Sequence, residues 1–141
     1  MFLLDTNVIS EIRKGSCGNR GVQQFSEQIN ASKSPVYFAA ATVGELRRGT
    51  ELLSDRGDAP QADILSRWLH RALTEYATRV IAFDEPCAQL WGRLMMRHVS
   101  SVVDKQIAAT AIVHQLTLVT RNARDFQSTG ARSLNPFAED N

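Results

Sequence analysis

The sequence predicts an α/β fold in which helices cover both faces of a parallel sheet. Three observations predict it. Short apolar, β-branched runs alternate along the chain with longer stretches of helical period. Met1-Phe2-Leu3-Leu4 is apolar on both strand faces, as suits a strand in the middle of a parallel sheet. Val102–Phe126 carries a helix pattern followed directly by a buried-strand pattern. Right-handed crossovers should connect such strands.

The elements follow in order. After Asp5, Val8, Ile9 and Ile12 mark one face of a short helix, which Lys14–Asn19 breaks. Val22, Phe25 and Ile29 give a second helix, and Ser32–Pro35 a turn. Val36–Ala39 reads as the second strand. Thr42 then reads as an N-cap with Glu45 three residues later, as in a capping box, and Val43, Leu46, Leu52 and Leu53 as that helix's apolar positions. Asp55–Pro60 is the most exposed loop. Ile64, Leu65, Trp68, Leu69, Ala72, Leu73 and Tyr76 form a long helical stripe, closed by Thr74–Thr78. Val80–Phe83 is the third strand. Asp84-Glu85-Pro86 starts a helix lined by Cys87, Trp91, Leu94 and Met95. Trp68 and Trp91 are expected to pack, mostly buried and remote from any site.

A linker from His98 to Ser101 leads into the next helix. There Ile107, Ala108, Ala111 and Ile112 predict one apolar face of an amphipathic helix, ended by His114-Gln115. Leu116–Thr120 is a buried strand, Arg121–Asp125 a polar exit loop, and Ser133–Pro136 a short edge strand. The remaining tail is polar.

A chain of 141 residues fits one domain, residues 1–141, with a real core. At 43% hydrophobic and 22% charged its composition is that of a globular protein. No apolar run approaches membrane length and no basic region precedes an apolar N-terminal core, so a cytoplasmic protein is expected. Cys17 and Cys87 match no metal spacing and fit reduced thiols; His70, His98 and His114 show no paired ligand spacing. A net charge of +1 neither demands nor excludes nucleic acid.

The chemistry lies in where the acids fall. Asp5 stands at the carboxyl end of the central strand, where open α/β sheets bind ligands. A helix runs antiparallel to the strand after it, so Asp104, at a helix start, and Asp125, beyond the next strand, share that rim. Glu45 is the fourth acid. Clustered carboxylates repel one another, and a divalent cation relieves the repulsion. Hard oxygen ligands suit Mg²⁺ or Mn²⁺ rather than zinc. Such an ion lowers the pKa of a water, orients it and stabilises charge on a phosphodiester. Arg47, Arg48, Arg121 and Arg124 flank the acids and offer charges for phosphates.

Each residue also has a purely structural reading. Asp5 caps a helix; Glu45 completes a capping box; Asp104 answers a helix dipole; Asp125 belongs to a turn. The arginines are solvated faces, and Thr120 and Asn122 satisfy local backbone. None of these explains why four acids converge on one rim.

MFLLDTNVISE, ATVGELRRG and DKQIAATAIVHQLTLVTRNARDF together resemble the PIN-domain proteins, in particular the VapC-type toxins of bacterial toxin–antitoxin pairs, including a FitB-like branch. The resemblance runs almost the full length, in order and spacing. It implies a three-layer α/β/α sandwich with a central, mainly parallel sheet. It also implies an Mg²⁺- or Mn²⁺-dependent endoribonuclease with Asp5, Glu45, Asp104 and Asp125 as the catalytic acids. Asp5 and Asp104 are expected to be the main metal ligands. The resemblance further implies a homodimer, an RNA substrate and a cognate antitoxin that blocks the acidic site, with operator DNA bound only through the antitoxin. The His98–Val103 linker is shorter than the basic, glycine-containing segment of many members. Two other classes compete. A signalling receiver would want a lysine after a late strand, where Arg121 stands instead. A catalytically silent PIN-like scaffold would not need the full set of acids.

Overall fold

The computed structural model describes residues 1–97 and 101–138. His98 and positions 99–100 of the expected linker, and the last three residues of the polar tail, lie outside the described residues. Strands β1 (Phe2–Leu4), β2 (Val36–Ala39), β3 (Val80–Ile81), β4 (Thr117–Val119) and β5 (Ser133–Leu134) form one sheet. Its order is β3-β2-β1-β4-β5, and every pairing is parallel. β1 is central, as its doubly apolar sequence predicts. The third and fourth strands are shorter than their apolar runs.

The seven α-helices among the described residues are α1 (Thr6–Arg13), α2 (Arg20–Ser32), α3 (Ala40–Asp55), α4 (Ala59–Glu75), α5 (Glu85–Met95), α6 (Val102–Val113) and the one-turn α7 (Ala123–Phe126). Neighbouring strand residues face opposite ways. Leu3 and Leu118 accordingly join one buried cluster with Ile107, Ala108, Ala111 and Phe126. Leu4 and Val119 join a second, with Val8, Ile9, Val22, Phe25 and Ile29. The sheet is thus buried on both faces, and α6 covers one face while α1 and α2 cover the other.

Local chemistry sets the helix ends. Asn19 caps α2 by accepting from Gly21 N at 3.0 Å, and the same side chain holds the backbone of Ala138. The chain passes so close there that a Cβ on Gly21 would collide with backbone at Pro136 and Ala138. Lys33 ends α2 in the left-handed region at φ 54°. Asp84 caps α5 as expected, accepting from Cys87 N at 3.3 Å.

Several expectations need correcting. α3 starts at Ala40 behind Ala39, so Thr42 is not its cap. Thr42 is instead fully buried, and its Oγ1 has no hydrogen-bond partner among the described residues. α6 is not amphipathic: Lys105, Ile107, Ala108, Ala109, Thr110 and Ala111 are all buried, because the helix lies between the sheet and α5. Asp125 sits on α7 rather than in an irregular loop. Leu52 and Ile64, read as apolar helix positions, are exposed. Trp68 and Trp91 are only half-buried. Among the described residues, no helix is long and apolar enough to cross a membrane.

Candidate active site

The strand order reverses direction between β1 and β4, and the acids gather at this switch point, where α/β sheets open a crevice. Asp5 follows β1, and its N–H donates to Val119 O at 3.0 Å, so the pairing continues past the strand end. Its side chain is 5% exposed and is held on both oxygens. Oδ1 accepts from Thr6 N at 2.8 Å, which caps α1. Oδ2 accepts from Thr120 Oγ1 at 2.6 Å and from Asn7 Nδ2 at 3.2 Å. Asp5 is therefore a helix cap and a rigidly oriented carboxylate at once.

Glu45 projects from α3, half-buried, and its Oε1 accepts from Thr6 Oγ1 at 2.8 Å. The capping-box reading of this residue fails, because its bond reaches α1 and not the start of its own helix. Asp104 is in the first turn of α6, half-buried, and Asp125 is exposed on α7.

Electrostatics couple these acids. The Glu45 carboxyl is pushed above its ordinary range first by burial and then by repulsion from Asp5 and Asp104; the Thr6 bond and Arg48 oppose the rise. Asp104 is pushed up by burial and by Asp5, with Asp125 adding to the effect and Lys105 opposing it. Asp5 thus acts on both Glu45 and Asp104, and Asp125 acts on Asp104. The group is open: no three of its acids bring an oxygen each within 4.8 Å of one another.

Three further side chains, Thr6, Asn7 and Thr120, organise the rim. Thr6 bridges α1 to Glu45. Asn7 donates to Asp5 and to Thr120 Oγ1, and its Oδ1 accepts from Arg121 N at 3.1 Å. Thr120 Oγ1 also accepts from Asn122 N at 3.1 Å, so its local role and its tie to Asp5 coexist. The Asp-Thr-Asn and Thr-Arg-Asn segments carried the signal, but only the fold brings them face to face.

The flanking arginines diverge. Arg48 is near enough to act on Glu45, whereas Arg47 turns toward Glu51 at 3.7 Å and toward Ser66 of α4 at 3.4 Å. Arg121 lies over the Phe137 ring, 4.1 Å from its centroid, and Arg124 is exposed on α7. Trp68 is not remote from the acids, because it lines a cavity of about 260 Å³ together with Thr6 and Glu45. Trp91 is tied elsewhere, donating from Nε1 to Val102 O at 3.3 Å.

A second group of ligand-type side chains was missed. Asp84, Cys87 and His114 bring one ligand atom each within 4.8 Å of one another, and among the described residues no other group of three does so. Asp84 and Cys87 are one helical turn apart, but nothing in the sequence joins them to His114. Burial and a hydrogen bond to Asp84 push the Cys87 thiol above its ordinary pKa.

A parallel five-stranded sheet with this acidic rim is the architecture of a PIN domain, and the PIN-domain family model matches residues 2–131. The chain belongs to the PIN-domain family. It is 34% identical to Toxin FitB of Neisseria gonorrhoeae over 143 aligned residues, covering 97% of this chain and 99% of that protein. It is 30% identical to VapC ribonuclease Y4jK of Sinorhizobium fredii, covering 97% and 98% respectively. Among solved structures, the FitAcB structure from N. gonorrhoeae superposes with a TM-score of 0.81 at 34% identity, covering 96% of this chain and 98% of that one.

Proposed function

We propose that this chain is a metal-dependent endoribonuclease and the toxin of a type II toxin–antitoxin pair. The observation that carries the reading is Asp5, held on both oxygens at the switch point, with its charge acting on Glu45 and Asp104. Kinship with a VapC ribonuclease and with Toxin FitB supports the substrate class and the toxin role. A related structure, FitAB bound to an IR36 DNA fragment, supports a protein partner through which operator DNA is reached.

The donor set fits Mg²⁺ or Mn²⁺. It is made of hard oxygens, it carries mutual repulsion that a cation would relieve, and its open spacing suits an ion that keeps several waters. Asp5 and Asp104 would be the main ligands, with Glu45 and Asp125 completing the site. Bound there, a divalent ion supplies charge stabilisation on the scissile phosphodiester and an activated water.

The chain's own residues do the positioning. Thr120, Asn7 and Thr6 fix the Asp5 and Glu45 carboxylates, so no reorganisation is needed when the substrate arrives. Arg48, Arg121 and Arg124 hold neighbouring phosphates at the lip. An RNA loop, with its bases unstacked, meets an open rim of this kind. The active form is a homodimer of single-domain chains spanning 1–141. A cognate antitoxin places a basic side chain against the four acids and so excludes cation and substrate.

Mapping RNA ends after brief induction in bacteria, without a partner, tests this reading. Wild-type protein should arrest growth and create discrete new ends, and Asp5→Ala should do neither. A folded Asp5→Ala protein that still cuts and still arrests growth overturns the mechanism. A wild-type protein that binds an antitoxin and cuts no RNA marks a silent scaffold instead.

A further inference from the structure

Cys87, Asp84 and His114 lie where two packed helices meet end to end. Asp84 caps the start of α5 and Cys87 is in its first turn; His114 directly follows the last residue of α6. One ligand atom from each lies within 4.8 Å of the others. The group is separate from the acidic rim. His114 is ten residues beyond Asp104 along α6, about 15 Å at the helical rise.

We propose that Asp84, Cys87 and His114 form a second metal site, selective for a soft or borderline divalent ion of the Zn²⁺ type, that clips the start of α5 to the end of α6. A thiolate, an imidazole and a carboxylate are a zinc donor set, with the fourth position left to solvent. This set differs in kind from the all-oxygen rim, so the two sites sort different ions. Ordinary zinc bond lengths put tetrahedral ligands roughly 3.3–3.6 Å apart. The three ligands must therefore close by about 1 Å from their present limit. His114 is exposed and can swing inward, whereas Asp84, also exposed, keeps its Oδ1 on Cys87 N and moves less.

The helix end helps, since the partial negative charge at the end of α6 favours a cation beside His114. Binding forms a sulfur–metal bond as the Cys87 S–H bond breaks; the proton leaves to solvent and nothing is oxidised. Cys87 is 0% exposed, so an ion must reach its sulfur from the side of the exposed Asp84 and His114. The inference is independent of the nuclease reading.

The test uses full-length protein carrying Cys17→Ser, which removes the exposed thiol, titrated with Co²⁺ and then Zn²⁺. A near-ultraviolet thiolate-to-cobalt band should grow to one equivalent, and Zn²⁺ should displace it. The band should be lost in His114→Ala and weakened in Asp84→Asn, and kept in Asp5→Asn, whose rim has only oxygen ligands. Zn²⁺ should also raise the unfolding temperature of the parent and not of His114→Ala. Because His114 is exposed, that variant keeps the test open if Cys87→Ser fails to fold. No thiolate band, or a band undiminished in His114→Ala, overturns the proposal. Loss of the band in a folded Asp5→Asn protein would show that the two sites are not separate, and also overturns it.

Discussion

Thr120, at the end of β4, donates its hydroxyl proton to Oδ2 of Asp5, at the end of β1, across 2.6 Å and 115 positions of sequence. The bond spans the switch point and fixes the carboxylate on which the rim is built. A hydrogen bond to a charged group contributes about 1.5–3 kcal/mol. Thr120→Val keeps the shape and removes the donor, so urea unfolding should show a loss of that size together with slower RNA cleavage. Thr120→Ser should recover both. A Thr120→Val protein equal to wild type in stability and rate would show that the bond positions nothing.

The rim predicts a pH dependence for the metal-free protein. Glu45 and Asp104 both have folded pKa values raised above 4.5 and 3.8 respectively. The folded state then binds more protons than the unfolded chain above those values, so stability falls as pH rises through that window. It is fully present below the ordinary values and lost beyond the raised ones. Thermal unfolding in EDTA, scanned upward from about pH 4, should show the decline. Glu45→Gln should flatten the curve and Mn²⁺ should oppose it. A slope unchanged in Glu45→Gln would mean that neither burial nor the neighbouring acids raise the Glu45 carboxyl in the folded state.

Burial separates two aromatic substitutions. Phe126 is 1% exposed within the β1/β4 cluster, whereas Trp91 is half-buried and stacks edge-on with Phe83. Phe126→Ala should cost about 3–5 kcal/mol and Trp91→Ala less than about 3. Denaturant midpoints decide; the reverse order would place Trp91 in the core.

Much of this fold was legible because local signals and global placement agree. Met1–Leu4 is apolar on both faces and sits mid-sheet. Asp84-Glu85-Pro86 names a helix start and makes one. Legibility failed where tertiary contact decides. Thr42 and Glu45 have capping-box spacing, but the helix begins before them and Glu45 bonds to Thr6 instead. Ala109 and Thr110 stand outside the apolar face predicted for α6, yet they too are buried, being small enough to fit in the helix packing. The convergence of acids on one rim could be argued from strand ends and helix starts alone. The ties from Thr6, Asn7 and Thr120 could not, because they join segments up to 115 positions apart. A shorter gap, 30 positions from Asp84 to His114, was likewise enough to hide that group.

The proposed function requires the rim acids to hold a divalent cation for RNA cleavage. Cleavage of a single-stranded RNA by purified protein, with Mg²⁺ or Mn²⁺ titrated against EDTA, tests it most directly when wild type is compared with Asp5→Asn and Asp104→Asn. Wild type should cut only with the metal present, and both variants, folded by circular dichroism, should fall to background and lose the Mn²⁺ shift in unfolding temperature. Undiminished cleavage in EDTA, or folded variants that cut like wild type, would contradict the account.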